Sequence, residues 1–155
     1  MSTKIGMIVE WKRGDADFLN QKYSRAHRWR FDGGVEIPAS SSPHVVPIPM
    51  SDETAVDPEE AYIASLSSCH MLWFLAIAAK RGHVVDSYID NAVGEMGSNS
   101  KNQTVITRVW LKPSIAWASP TPSNSLIDQM HERAHESCFI ANSVLTEILI
   151  APANG

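Results

Sequence analysis

The chain has 155 residues, a net charge of −4 and 44% hydrophobic content, which suits one globular domain with a core of useful size. It holds no long run of one charge sign, so nucleic acid is not an expected partner. The opening residues, MSTKIGMIVEWKRGD, have no long apolar stretch and no small-residue cleavage site, so no signal peptide is expected and the chain is placed in the cytoplasm.

Residues 4–11 (KIGMIVEW) predict a first strand, and residues 26–31 (AHRWRF) alternate up to the turn signal Asp32-Gly33-Gly34. Val35, Ile37 and the stretch Val45–Ile48 continue the extended pattern, while 39–56 as a whole is rich in Ser and Pro and reads as loop. A helix then starts at Asp57, a good N-cap, with Pro58 at the first helical position. Glu60 stands three residues after Asp57, where its carboxylate reaches back to the cap amide. The helix runs to about Arg81 and stops at Gly82. It is apolar nearly all round and is expected to be buried on most sides. Ser65, Ser67, Ser68, Cys69 and His70 in its middle argue against a membrane span.

Two long strands are expected over 84–96 and 103–117, joined by a polar hairpin loop at Gly97–Asn102. Pro120 and Pro122 break the pattern. A second helix is predicted over Ser123–Ser137, residues 139–143 fit no single element, and Val144–Ile150 reads as a last strand. This order predicts an α+β fold with a largely antiparallel sheet, in one domain over residues 1–155.

The chain has two cysteines, Cys69 in the middle of the apolar helix and Cys138 at the end of the second. Composition alone reads them as two unrelated buried thiols, and with a sequence separation of 69 residues only the fold can bring them together. A competing pattern is His131-Glu132-Arg133-Ala134-His135. On a helix, H-E-x-x-H turns two histidines toward a zinc ion with the glutamate as base, and Cys138 offers a third ligand. A zinc hydrolase or structural zinc protein is therefore an alternative, although it leaves Cys69 and the helix start unexplained. Otherwise His131 and His135 read as half-buried helix surface near the second cysteine. His70 is set aside as a base for Cys69, because adjacent helical residues point about 100° apart.

Three segments carry a resemblance. DPEEAYIASLSSCHM (57–71), AHESCFIANSV (134–144) and SRAHRWRFDGG (24–34) stand in the order found in the OsmC/Ohr family, the osmotically inducible and organic hydroperoxide resistance proteins. The resemblance implies an OsmC-like fold, with a mostly antiparallel sheet packed on two central helices in an intertwined homodimer. It implies a cysteine peroxidase that reduces organic hydroperoxides, and hydrogen peroxide less well. No metal, haem or flavin is implied. Electrons would come from an external dithiol, a lipoylated protein in some members.

By position, the resemblance makes Cys69 the attacking cysteine and Cys138 the resolving one. Glu59 matches the family's glutamate and Arg25 its arginine, with Arg28 and Arg30 as rivals. Two departures bear on substrate preference and rate of resolution: Phe139 stands where many members have Pro, and His70 where many have an apolar residue.

The chemistry gives this set a logic. A thiol attacks a peroxide as thiolate, and apolar surroundings disfavour the charge. A guanidinium stays protonated, offers several donors and is itself satisfied by a carboxylate. At about 100° per residue, Glu59 lies about 80° around the helix from Cys69, while Glu60 lies roughly opposite and already serves the cap. A sulfenic acid at Cys69 would need a second thiol to escape over-oxidation. A redox sensor with the same fold and no turnover is a further alternative.

Overall fold

The capping signals around Asp57 set the longest element. In a computed structural model, which describes residues 2–118 and 120–151, helix α1 runs Pro58–Lys80. The Glu60 amide donates to Asp57 Oδ1 at 2.8 Å, and the Asp57 amide donates to Glu60 Oε2 at 3.1 Å, a closed capping box. At the other end Gly82 takes φ +79°. The amides of Gly82 and His83 donate to the carbonyls of Ala79 and Ala78, which ties off the last turn.

The chain divides into two compact units, Met1–Ala61 and Tyr62–Gly155. The first is a three-stranded antiparallel sheet, β1 (Met7–Glu10), β2 (His27–Phe31) and β3 (Glu36–Ala39), with β2 in the middle. Diagonal ion pairs lace it, Arg30–Glu10 at 3.3 Å and Arg28–Glu36 at 3.6 Å. Trp11, Phe18 and Tyr23 form an aromatic cluster beside it. Val45–Ile48 is not extended as expected. The amides of Val45 and Val46 both turn back onto the Ser42 carbonyl, and Pro47 and Pro49 have no N–H to give a ladder.

In the second unit the two predicted long strands are each broken in two. The halves are β4 (Val85–Asp90) and β5 (Val93–Ser98) on one side, β6 (Thr104–Leu111) and β7 (Pro113–Trp117) on the other. β4 pairs with β7 and β5 with β6, both antiparallel. The break falls where the ladder loses two backbone donors. Pro113 lacks a donor, and the Lys112 amide is taken by the Asp90 carboxylate at 2.6 Å. Asp90 also accepts from the Ser67 hydroxyl of α1.

Helix α2 (Asn124–Ser137) is capped by Ser123, and a 3₁₀ turn occupies Ala141–Ser143. The last strand, β8 (Glu147–Ile150), lies parallel to β6, so that sheet is mixed. The architecture is the α+β fold expected, with one parallel pairing that antiparallel reasoning did not anticipate.

The burial of α1 differs from expectation. By composition it is long and apolar enough to span a membrane, yet here only one stripe, Leu66, His70, Phe74 and Ala78, is buried. Phe74 and Ala78 join Met130 and Ala134 of α2 in one core cluster, and Leu66 joins Val109 and Leu111 of β6 in another. Leu72 on another face is 60% exposed. A helix apolar all round does not by itself say which neighbours cover it, and within this chain one stripe is covered.

Candidate active site

The second unit brings Cys69 and Cys138 together. Cys69 occupies the centre of α1 and is partly buried; Cys138 is the residue at which α2 ends, and it is 1% exposed. Both are free thiols. Cys69 is a near neighbour of the Cys138 thiol and acts on its titration. Burial is the main influence holding Cys138 above the usual thiol range, and Cys69 adds to it. The amide of Ala141 donates to the Cys138 sulfur at 3.4 Å and works the other way. The pair therefore offers two neighbouring sulfurs, with Cys138 favouring its protonated form.

Glu59 stands in the first turn of α1. Its Oε2 is buried with no hydrogen-bond partner among the described residues. Desolvation holds its carboxyl above the ordinary range, and Asp57 and Glu60 push the same way.

Arg25 does not pair with a carboxylate among the described residues. Its guanidinium donates to the carbonyls of Tyr23 and Gln21 at 2.7 and 3.0 Å and to the Gln21 side chain at 3.0 Å. It lies over the Tyr23 ring, 3.7 Å from the centroid. Arg28 and Arg30 are already engaged by Glu36 and Glu10, so Arg25 is the one of the three without an acidic partner. It lines a cavity of about 460 Å³ in the first unit, whose walls include Trp11, Phe18, Tyr23 and Pro58.

The histidines behave differently from the sequence reading. His131 is a core residue, not half-buried surface. It is 3% exposed and His70 is 1% exposed. His70 Nε2 and His131 Nδ1 share a hydrogen bond of 2.9 Å, the rings lie nearly parallel with centroids 5.3 Å apart, and Phe74 stacks on His131 at 4.3 Å. Desolvation brings His70 down to about 3, with His131 and His135 contributing repulsion. It brings His131 down to about 4, against the pull of Asp128 and Asp90.

The H-E-x-x-H pattern stands on α2 with His131 buried and Glu132 exposed. Among the described residues no group of three or more His, Cys, Asp or Glu is arranged to hold a metal ion.

The pairing of His70 with His131 was missed, but it left a signal. His70 sits on the apolar stripe Leu66-Phe74-Ala78, and His131 falls on the stripe of Ile127, Ala134 and Cys138. A polar residue on each of two buried stripes needs a partner, and each is the other's natural choice.

Comparison with known proteins places this geometry in a family. The family model described as OsmC-like protein matches residues 51–152. The chain is 53% identical to an OsmC-like protein of unknown function from Vibrio cholerae, over 97% of this chain and 99% of that one, with a TM-score of 0.95. An organic hydroperoxide resistance protein from Elizabethkingia anophelis shares the fold at 15% identity, covering 100% and 99% of the two chains with a TM-score of 0.74. An organic hydroperoxide resistance protein of Bacillus subtilis does so at 14% identity, covering 97% and 98% with a TM-score of 0.70. No curated protein matches the sequence. The chain belongs to the OsmC-like protein family.

Proposed function

We propose that this OsmC-like protein is a thiol-dependent peroxidase that reduces organic hydroperoxides in the cytoplasm. The observation that carries the reading is the nearness of the chain's two thiols, 69 positions apart in sequence. Two hydroperoxide resistance proteins of the same fold support it.

In the proposed cycle the Cys69 thiolate attacks the terminal peroxide oxygen. The O–O bond breaks, Cys69 becomes a sulfenic acid, and the alkoxide leaves as an alcohol after taking up a proton. Cys138 then attacks the sulfenic sulfur as thiolate. The S–O bond breaks, a disulfide forms, and the hydroxide leaves as water with the proton that Cys138 gave up. An external dithiol, in the form of a lipoylated protein or a small dithiol, returns both sulfurs to thiols and is itself oxidised to a disulfide.

Arg25 is assigned to hold the thiolate and the departing oxygen, and Glu59 to hold that guanidinium. The unpartnered Glu59 oxygen and the absence of an acidic partner for Arg25 among the described residues support this assignment. The cavity beside Arg25 is mostly apolar and suits an alkyl tail. The exposed apolar face of α1, Leu72 included, supports a homodimer in which a second copy covers it.

The test is steady-state consumption of cumene hydroperoxide with dihydrolipoamide. Wild type turns over, Cys69→Ser is inactive, and Cys138→Ser stalls after one oxidation of Cys69. Full activity in Cys69→Ser would overturn the mechanism. A wild type that forms its disulfide once and does not cycle with dithiol would be a sensor, not an enzyme.

A further inference from the structure

We infer that the buried His70–His131 hydrogen bond is a positioning device that fixes where Cys138 meets Cys69. The inference rests on the peroxidase reading for its place in a catalytic cycle, and on geometry alone for its mechanical content.

The geometry begins with the two helices. His70 follows Cys69 directly on α1. His131 precedes Cys138 by seven residues, which is two turns, so both lie on nearly the same side of α2, about 10 Å apart along its axis. The two helices therefore meet through two neighbouring residues of α1 and two positions of α2 that lie two turns apart, the thiols near each other at one and the rings hydrogen-bonded at the other. A single contact would let α2 swivel and slide on α1. The second contact removes that freedom, and the Phe74 ring beneath His131 closes off rotation of the imidazole.

The contact is also directional. One nitrogen of the pair donates and the other accepts, at 2.9 Å. An apolar pair of similar size would bury as much surface but would accept several registers, since apolar packing has no preferred axis. A buried polar pair accepts one. The remaining nitrogens, His70 Nδ1 and His131 Nε2, are buried with no partner among the described residues, so the rings have no competing hydrogen bond to turn toward. Neither ring is assigned proton transfer to a sulfur. Their part is to hold α2 where its last residue faces the centre of α1.

The step affected is disulfide closure and not peroxide attack. Attack does not involve Cys138; closure needs the two sulfurs at bonding distance and in line. A misplacement of about 1 Å lowers such a step by up to on the order of 100-fold.

The experiment uses the full chain with His70→Leu, His131→Phe, and the isosteric double variant His70→Gln/His131→Asn. In the double variant the amide groups stand near the positions of Nε2 and Nδ1. Closure of Cys69–Cys138 is followed by mass spectrometry after one equivalent of cumene hydroperoxide and, separately, after diamide, which oxidises dithiols without a peroxidase step. Trapping with dimedone reports the Cys69 sulfenic acid.

The expected result is closure slowed at least about tenfold in each single variant with both oxidants, the rate of Cys69 oxidation unchanged, and sulfenic acid accumulating. The double variant recovers most of the closure rate. Equal closure rates in all variants, or no recovery in the double variant despite a wild-type circular dichroism spectrum, would overturn the inference. If the single variants fail to fold, the double variant decides: wild-type closure supports the inference, and slow closure in a folded protein overturns it. A wild type inert to hydroperoxide but closed by diamide would sink the peroxidase reading and leave the positioning role to be judged on the diamide arm.

Discussion

The buried histidine pair makes folding stability acid-sensitive in a window set by ordinary histidine chemistry. In the unfolded chain each imidazole titrates near 6.5; in the folded chain burial brings His70 down to about 3 and His131 down to about 4. Both folded-state values are lowered, so between the two ranges the unfolded state binds more protons than the folded one. The contribution is fully present above about pH 6.5 and is lost as the pH falls toward 4. At pH 5 the unfolded state gains about 2 kcal/mol from protonating each ring, about 4 kcal/mol for the pair. Domain stabilities are about 5–15 kcal/mol, so the loss is large. Asp90 and Asp128, which face His131, and His135, which faces His70, are kept in every variant and cancel in the comparison. Urea denaturation at pH 8 and pH 5 measures the effect directly. Wild type loses about 4 kcal/mol over this range, and His70→Gln/His131→Asn loses that much less, because amides do not titrate. The same pH dependence in both proteins would refute the reasoning, as would an imidazole resonance of either residue titrating near 6.5.

Other outcomes are equally specific. Arg25→Met lowers kcat/KM for cumene hydroperoxide on the order of 100-fold, while Arg28→Met and Arg30→Met, which break only cross-strand ion pairs, leave it within a few-fold; steady-state kinetics separates the three. Asp57→Ala opens the capping box and costs about 1 kcal/mol, seen as a fall in Tm of about 2–4 °C. Phe74→Ala removes a fully buried ring from between His131, Tyr88 and Trp117 and costs about 3–5 kcal/mol in a denaturant titration.

Local chemistry was the legible part of this chain. Asp57, Pro58, Glu60 and Gly82 act over one turn of backbone, and the start and stop of α1 follow from them. Ser123 marks α2 for the same reason. Periodicity located strands but not their breaks. The kink at Asp90 and Lys112 depends on a side chain meeting an amide 22 residues away, and no window of local sequence contains both. The parallel pairing of β8 with β6 is likewise a property of topology. At the site, the resemblance supplied Cys69 with Cys138. His131 was read as half-buried surface because the helical faces were compared within each helix and not between the two. Two polar residues lying on facing apolar stripes were the sign that they belong to each other.

The two sulfurs differ in what surrounds their backbones. Cys69 has eleven helical residues on each side in a helix of 23, so shifting it strains hydrogen bonds in both directions. Cys138 stands where α2 stops, in extended conformation, tied through its amide to His135 at 3.3 Å and through its carbonyl to Asn142 at 3.0 Å. One sulfur is an anvil and the other is on a hinge. Any bond between them would be made mostly by the hinge. Its strain would run forward into the 3₁₀ turn and toward β8, which is docked on β6, and would leave the long helix where it was.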